Sequence, residues 1–503
     1  MALRAAFTRV LPQARGLRAA VITRAPAPFS TAAVAPRDEE AEWEAAFLEA
    51  TDSFSGDSDH TESSEALRAL VKSGLLKHTD LRDRPDRFFK AHRLLARHAV
   101  REGPGFWIRF TVHYNLCFGT VLAVGGPEQV AAMADVEARG QLGCFALTER
   151  LAGVQSGLVV ETTATYDKES KEFVLHSPSE GSLKNWISQG HVADKAVVLA
   201  DTTVDDQRVG PHAFLMDLAS PGVSTGDMGV KTTGNDLDNA WIAFDNVRVP
   251  RTALLNGHCD VDEATGGYVL KTQGVKPFEM IGQRLYTGRV AVAQAALAFR
   301  SQLFDVTKAY ADNKSIPDVA RTGAAPKLSG IPQLKALFAE ADETAALLED
   351  FVNKCEDRLA PLLRTGAVPD EELAHAIATA KVKAVEHSID LAWRLKQEVG
   401  SYALMGSSGF KHLDFLNCCK FAEGDSRILM QKMARDRLRK FAADLKAGAA
   451  DDGTEEARLA GELAAALAPA KGDKARQAAL WDEHYLLVYA LAEQMMDRTI
   501  REF

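Results

Sequence analysis

The chain has 503 residues, of which 46% are hydrophobic and 25% charged. This length allows about two to four domains with large apolar cores, and the composition excludes a disordered chain or a small disulfide-stapled fold. The net charge of -10, from 59 basic and 69 acidic residues, disfavours nonspecific binding to nucleic acid. Apolar runs such as Val290 to Phe299 are about half the ~18 residues of a membrane-spanning helix, so we expect no membrane span.

The first 36 residues differ in composition from the rest. They contain no Asp or Glu, and five arginines recur among small, apolar and hydroxyl-bearing residues. This pattern is typical of a transit peptide over residues 1–36 and predicts a location in the mitochondrial matrix, with the peroxisome or a plastid as the alternative. The chain ends Arg501-Glu502-Phe503, unlike a Ser-Lys-Leu address, which disfavours the peroxisome.

The next two stretches change from helical to strand-like periodicity. Residues 37–142 predict an N-terminal helical domain with helices over 64–76 and 127–139. Residues 143–256 alternate polar and apolar side chains in short runs and predict a central antiparallel β-barrel domain. The strands are predicted over 161–166, 172–176, 195–200, 212–218 and 240–244.

Residues 274–447 return to helical periodicity and predict a C-terminal four-helix bundle. The long helices are predicted over 282–306, 331–363, 370–404 and 426–447. Residues 448–503 are predicted as a linker rich in Ala, Asp, Gly and Glu, followed by a helix over 477–500. The fold class is therefore α+β, with a helical domain, a β-barrel and a helical bundle in chain order.

Several familiar signatures are missing from the sequence. No GxGxxG opens a helix after a strand, and no Walker loop, GxSxG or HExxH occurs, which disfavours Rossmann dehydrogenases, ATPases, serine hydrolases and zinc peptidases. The six cysteines include no Cys-x-x-Cys pair, and the histidines lack metal-ligand spacing. We therefore expect neither a metal site nor a disulfide framework.

A series of spaced segments runs from about Asn115 to Arg439. The segments are Gly143-Cys-Phe-Ala-Leu-Thr-Glu149, Glu161-Thr-Thr-Ala-Thr-Tyr-Asp167, Lys184-Asn-Trp-Ile-Ser-Gln-Gly190, Gly226-Asp-Met-Gly-Val-Lys231, Val247-Arg-Val-Pro-Arg251, Gly288-Arg-Val290, Met405-Gly-Ser-Ser-Gly-Phe410 and Ala422-Glu-Gly-Asp425. Together they resemble the acyl-CoA dehydrogenase and acyl-CoA oxidase superfamily. The middle segments are most similar to those of the oxidases. One such match is weak, but their order along the chain makes the resemblance specific.

The resemblance implies FAD as cofactor. A flavin ring has apolar faces and a hydrogen-bonding edge, so its site needs an aromatic wall and short polar side chains. Trp186 would supply the wall, and Thr148 and Ser188 the hydroxyls. The resemblance also assigns Gly406, Ser407 and Asp425 to cofactor binding. The alternatives are a core tryptophan, hydroxyls that bond the backbone, and glycines that end a helix.

The resemblance makes Glu423 the catalytic residue. In an apolar cleft, its pKa would be raised and it would remove the α-proton of an acyl thioester. The alternative is a solvated acid at a helix start, because Asp425 and Ser426 resemble a helix cap. Arg289 and Gly424 are predicted to bind substrate, and the alternative for Arg289 is an interhelical salt bridge.

The function implied is conversion of a fatty acyl-CoA to trans-2-enoyl-CoA in fatty acid β-oxidation by a homodimer or homotetramer. Dioxygen would be the electron acceptor of an oxidase, and an electron-transfer flavoprotein that of a dehydrogenase. The family's usual Arg and Phe-Gly pair after the first bundle helix is absent, where only Lys314 or Arg321 offers a cation for phosphate. This absence motivates the alternative of a non-catalytic scaffold subunit of a mitochondrial complex.

Overall fold

The computed structural model describes residues 37–52, 59–154, 156–157, 159–272, 282, 284–317, 323–447 and 453–503. The predicted transit peptide over residues 1–36 and the candidate cation Arg321 lie outside these ranges. The described chain forms two compact units. One comprises residues 47–430 and 496–503, and the other comprises residues 37–46 and 431–495.

The N-terminal region is helical, as predicted. Helix α2 begins with a capping box, because the Asp59 carboxylate accepts hydrogen bonds from the backbone N–H groups of Thr61 and Glu62, and it ends at left-handed Gly74. A π-helix, Val112–Phe118, lies between α5 and α6. The helices are α1 Arg37–Thr51, α2 His60–Ser73, α3 Asp80–Asp83, α4 Pro85–Glu102, α5 Gly105–Thr111, α6 Gly119–Val124 and α7 Pro127–Ala138.

The central region contains eleven strands among the described residues, in sheets of six, three and two strands. Strands β2, β3 and β9 pair antiparallel in that order, and β5 pairs antiparallel with β6. The strands are β1 Gly143–Ala146, β2 Thr163–Asp167, β3 Glu172–His176, β4 Lys184–Ser188, β5 Lys195–Val204, β6 Gln207–Asp217, β7 Val223–Asp227, β8 Asn239–Phe244, β9 Val247–Pro250, β10 Cys259–Val261 and β11 Tyr268–Leu270.

The predicted antiparallel β-barrel is confirmed only in part. The main sheet is a curled half-barrel, and β1 and β2 both pair parallel with the same edge of β5, through Gly143 opposite Lys195 and Thr163 opposite Asp201. Tight hairpins force antiparallel pairing, as the turn at Asp205 does between β5 and β6. Long connections join β1 and β2 to β5, so parallel pairing is sterically open to them. Strand β4 belongs to a separate sheet, in the order β4, β8, β7.

Long helices follow the sheet, as the periodicity predicts. Alanines such as Ala291 and Ala295 are fully buried on α8, which lets its backbone pack closely on α10. The helix predicted over 370–404 ends at Glu398, because Gly400 adopts a left-handed conformation with φ 60°. The helices are α8 Arg284–Asn313, α9 Pro332–Thr365, α10 Glu371–Glu398, α11 Asp414–Phe421 and α12 Ser426–Lys446.

The last described segment forms three helices, α13 Glu455–Leu467, α14 Lys474–Glu483 and α15 Tyr485–Glu502. The stretch predicted as a linker contains α13, since leucines four residues apart at 459, 463 and 467 bury one face of it in a core shared with Trp481 and Leu491. The helix predicted over 477–500 is divided near His484. In the described parts of the chain, no helix has the length and apolarity needed to cross a bilayer.

Candidate active site

Glu423 lies in the short connection between α11 and α12. Its φ of 57° and the φ of 94° at Gly424 place two successive residues in the left-handed region. A non-glycine residue in this region is strained and persists only where its surroundings hold it there. The Asp425 carboxylate accepts a 2.8 Å hydrogen bond from the backbone N–H of Arg427, so the predicted cap follows Glu423 and leaves Glu423 outside the helix.

The Glu423 carboxylate turns inward against helix α8 and the π-helix. Its Oε1 accepts a long hydrogen bond of 3.4 Å from the Asn115 side-chain amide. Its Oε2 is buried, and no residue in the described part of the chain forms a hydrogen bond with it. The carboxylate lies so close to Gly288 that a Cβ atom at that position would overlap it. Only glycine at position 288 therefore allows this placement.

Burial dominates the electrostatics of this carboxylate. Desolvation raises the pKa of Glu423 from 4.5 to about 7, against the opposing effects of the Arg289 and Lys381 cations and the Asn115 hydrogen bond. A solvated acid at a helix start would show no such rise, which disfavours that alternative. A carboxyl group with a pKa near neutral pH is suited to general-base chemistry.

Two cations hold the backbone around Glu423. The Arg289 Nε–H donates to the Glu423 carbonyl oxygen at 3.0 Å, and the guanidinium lies over the Tyr286 ring at 5.4 Å. Lys381 Nζ donates to the carbonyl oxygens of Lys420 at 2.6 Å and Gly424 at 2.9 Å. Arg289 thus engages the main chain of the candidate base, and its contact with substrate stays a prediction.

The π-helix connects Glu423 to the β-rich region. On one side Asn115 reaches Glu423, and on the other His113 Nδ1 accepts a 3.1 Å hydrogen bond from the backbone N–H of Gly143, the first residue of β1. The Gln189 side-chain amide then donates to the Gly143 carbonyl oxygen at 2.5 Å. Because π-helical turns shift side chains out of α-helical register and are frequent at functional sites, this segment is a natural place for a site residue.

Trp186, which is predicted to form the aromatic wall, lies on strand β4. Trp186 has a φ of 59° and is 55% exposed, so it is not a core tryptophan. The register of β4 shifts between Lys184 and Ile187, and this irregularity turns Trp186 out of the regular alternation of the strand. Ser188 Oγ accepts a 3.2 Å hydrogen bond from the Asn239 side-chain amide, which leaves the Ser188 hydroxyl hydrogen available to a ligand.

Three of the other four predicted cofactor residues are exposed, and the fourth, Asp425, is half-buried. Thr148 is exposed, and its carbonyl oxygen accepts a 2.8 Å hydrogen bond from the Asn185 N–H at the start of β4. Gly406 and Ser407 are exposed in the short 3-10 turn Gly406–Ser408. Leu404 next to this turn is 80% exposed. The structure thus groups Glu423, Gly424 and Arg289 directly, while the roles of the flavin residues stay predictions.

Sequence reasoning missed three residues of this site: Asn115, Lys381 and the steric role of Gly288. The available signals were polar residues in apolar helical runs, since Asn115 lies in His-Tyr-Asn-Leu-Cys-Phe and Lys381 in Ala-Thr-Ala-Lys-Val. Such residues are more often exposed than buried, so the sequence alone did not single them out. In the described ranges, no group of three His, Cys, Asp or Glu side chains could hold a metal ion.

Comparisons with known proteins place these features in a family. Residues 144–247 match the model of the acyl-CoA dehydrogenase middle domain. Acyl-coenzyme A oxidase 2 of Yarrowia lipolytica is 30% identical over 414 residues, which cover 76% of this chain and 57% of that protein. Peroxisomal acyl-coenzyme A oxidase 3 of Homo sapiens is 36% identical over 201 residues, covering 37% of this chain and 28% of the human protein.

A comparison of the fold with solved structures also finds an acyl-CoA oxidase. The structure of acyl-CoA oxidase-2 of Caenorhabditis elegans, bound with FAD, ascaroside-CoA and ATP, superposes with a TM-score of 0.76 at 19% identity, over 92% of this chain and 76% of that one. The described fold therefore has the architecture of acyl-CoA oxidases. The chain matches little more than half the length of the Yarrowia oxidase.

One expectation is overturned by these relatives. The predicted mitochondrial matrix location is wrong, because the relatives are acyl-CoA oxidases, and one of them is named as peroxisomal. Basic, acid-free leaders recur outside targeting peptides, so composition alone was a weak guide to the compartment. The ordered motifs, the half-barrel between helical regions and the matched middle domain agree with one another: this chain belongs to the acyl-CoA dehydrogenase and acyl-CoA oxidase superfamily.

Proposed function

We propose that this protein is an FAD-dependent acyl-CoA oxidase that converts a fatty acyl-CoA to trans-2-enoyl-CoA, with Glu423 as the base. The observation that carries the proposal is the Glu423 carboxylate, which is buried, has a raised pKa, and keeps Oε2 without a hydrogen-bond partner among the described residues. An enzyme of this class needs a base that removes an α-proton in a site that excludes water.

The chain supplies the parts of such a base. The Asn115 amide holds Oε1, so the lone pairs of Oε2 are free to accept a proton. With a pKa of about 7, Glu423 is ionised above neutral pH. When Glu423 takes up the proton, the desolvation penalty on its charge disappears, which favours the transfer. Arg289 and Lys381 keep the backbone in place while the carboxyl group changes charge.

The residues around β4 fit a flavin. An exposed tryptophan held by backbone geometry offers a flat apolar platform, and Ser188 has a hydroxyl hydrogen to donate to a ring edge. Trp186, Ser188 and Thr148 would hold the ring, and the exposed turn with Gly406 and Ser407 would face the rest of the cofactor. When bound, the flavin would supply the acceptor for the hydride from the substrate β-carbon.

The names of the relatives support the choice of substrate and acceptor. The curated relatives are acyl-coenzyme A oxidases, and the Caenorhabditis elegans structure holds an acyl-CoA conjugate. We therefore propose an acyl-CoA as substrate and dioxygen as acceptor, which forms hydrogen peroxide. The human relative supports the peroxisome as the compartment of the reaction.

The test is anaerobic titration of the purified protein with saturated acyl-CoA thioesters of several chain lengths. We expect a yellow protein whose flavin absorbance bleaches, and peroxide when air is admitted. The matched control is the corresponding trans-2-enoyl-CoA, which is already oxidised and should leave the absorbance unreduced.

Three results would point elsewhere. A colourless protein from flavin-replete cells would favour the scaffold alternative. A yellow protein that no saturated thioester bleaches would refute the assignment of substrate. Bleaching without peroxide in air, with electrons passed only to an electron-transfer flavoprotein, would make the protein a dehydrogenase.

A further inference from the structure

Lys381 is an unusual residue for its place in the fold. It lies in the middle of α10, in an apolar run, and its side chain is fully buried. A lysine in such a place is costly unless its ammonium group is well bonded. The base chemistry proposed above does not use this residue directly.

The ammonium group of Lys381 bonds three acceptors at the two ends of one short loop. It donates to the carbonyl oxygen of Lys420 at 2.6 Å, to that of Gly424 at 2.9 Å, and to Ser426 Oγ at 3.1 Å. A neutral amine has only two N–H bonds, so three acceptors favour the protonated form. The loop from Lys420 to Ser426, here called the base loop, is therefore tied to α10 at both ends.

The base loop needs such a tie. Glu423 and Gly424 both adopt left-handed backbone conformations, which are strained for a non-glycine residue. Among the described residues, the hydrogen bond to the Glu423 side chain is the long 3.4 Å contact from Asn115, which offsets little of this strain. Arg289 fixes the Glu423 carbonyl oxygen from the α8 side. Lys381 fixes the following carbonyl oxygen, that of Gly424, from the α10 side.

We propose that Lys381 is a positioning residue that locks the base loop and so aims the Glu423 carboxylate at the substrate. The inference rests on the proposed function for its catalytic consequence, but its structural part concerns the base loop alone. Removing the lysine would let the loop relax toward ordinary backbone angles and withdraw the carboxylate from Gly288. A displacement of about 1 Å at a catalytic group is enough to slow a reaction by about 100-fold.

The charges near the two groups predict a second effect. Arg289 and Lys381 both lower the pKa of Glu423. Lys381 faces Cys419, Asp425, Arg289 and Glu386, and burial lowers its own pKa to about 7. Loss of the Lys381 charge should therefore raise the pKa of Glu423 and move the acid limb of the rate profile to higher pH.

The experiment compares wild type, Lys381→Met and a matched control, Lys383→Met, as full-length flavin-loaded proteins. Lys383 lies on the same helix, is 7% exposed and pairs with Asp497 at 2.7 Å. Hydrogen exchange of amides in residues 417–430 is measured first, and the pH dependence of flavin reduction by an acyl-CoA second. We expect Lys381→Met to speed base-loop exchange at least 10-fold, slow reduction at least 10-fold and shift its acid limb upward. Lys383→Met should change neither base-loop exchange nor the acid limb.

The two readouts separate the two proposals. If wild type is not reduced by any acyl-CoA, the proposed function fails, and hydrogen exchange still decides whether Lys381 locks the base loop. Unchanged base-loop exchange in Lys381→Met would overturn the inference, as would faster exchange with an unchanged reduction rate in an active enzyme. If Lys381→Met does not fold, Lys381→Leu takes its place, because it also has no N–H donor for the base loop. Wild-type exchange and rate in that variant would equally overturn the inference.

Discussion

Two buried glutamates in the larger unit have opposite environments. Glu149, just after β1, accepts hydrogen bonds from the backbone N–H groups of Glu161 at 2.6 Å and Thr162 at 2.9 Å, and from Lys184 Nζ at 2.8 Å. Within the described ranges, the Glu423 side chain accepts a single 3.4 Å hydrogen bond, from Asn115, and its other carboxylate oxygen has no partner. Both carboxyl groups are removed from water, but only at Glu149 do several hydrogen-bond donors and a cation compensate for the loss of hydration.

The difference separates a structural acid from a reactive one. A buried carboxylate that accepts several hydrogen bonds and pairs with a cation is compensated in its charged form. A buried carboxylate with an empty oxygen is stable when it gains a proton, which is what a base does during the reaction. The bonding of each carboxylate therefore predicts the consequence of its removal.

The largest expected effect is on catalysis. Glu423→Gln should slow acyl-CoA-dependent flavin reduction by about 1,000-fold or more, since general bases contribute about 10²–10⁴-fold to rates. The amide keeps the size of the side chain, so flavin content should stay at the wild-type level. Stopped-flow absorbance measures the rate, and the flavin spectrum of the variant serves as the control. Reduction within 10-fold of wild type would mean that another group removes the proton.

The second effect concerns the compensated acid. Glu149→Gln leaves the buried Lys184 ammonium without its counter-ion and should lower the free energy of unfolding by about 3 kcal/mol. The matched control is Glu172→Gln, which breaks an exposed pair with Arg248 and should change stability little. Urea denaturation followed by circular dichroism measures both. Equal stability of the two variants would show that the buried Glu149–Lys184 ion pair matters no more for stability than an exposed pair.

The sequence predicted the type and order of most elements, because long helices and alternating strands leave periodic patterns. It did not predict β4 as a strand, although this strand carries Trp186 and Ser188. The register shift within β4 breaks the two-residue alternation that strand prediction relies on. Parallel pairing of β1 and β2 with β5 was also invisible, since it depends on contacts between distant parts of the chain.

The candidate base was predictable from its motif, whereas the residues that contact and position it were not. Glu423 lies in an Ala-Glu-Gly-Asp segment that resembles a family signature. Asn115 and Lys381 reach it from positions 308 and 42 residues earlier in the chain, and no local pattern links them to it. Gly288 next to Arg289 was noted only as part of a motif, because the reason for a glycine there is the carboxylate packed against it.

The third effect follows from that packing. Gly288→Ala places a methyl group where the Glu423 carboxylate lies, so the carboxylate must move and flavin reduction should slow by about 100-fold. Gly330→Ala is the matched control, because a Cβ atom there has open space within 4 Å. Reduction rates of the two flavin-loaded variants measure the difference. A wild-type rate in Gly288→Ala would show that the carboxylate acts from a different position.

The smallest effect is a gain in stability, and its sign is the most direct test of the contrast between the two acids. The pKa of Glu423 is raised to about 7 in the folded protein from 4.5, so ionisation of Glu423 destabilises the fold. This penalty is absent below pH 4.5, grows as the pH rises from 4.5 to 7, and is constant above 7.

Glu423→Gln removes the penalty and should be more stable than wild type at pH 8 by about 2 kcal/mol, with a smaller advantage at pH 5. Urea denaturation at the two pH values measures the gap, and Glu149→Gln serves as the comparison because it should lose stability at both. A Glu423→Gln variant that is less stable than wild type at pH 8 would mean that hydrogen-bond donors stabilise the Glu423 charge, as they do at Glu149. Such donors would argue against Glu423 as the base.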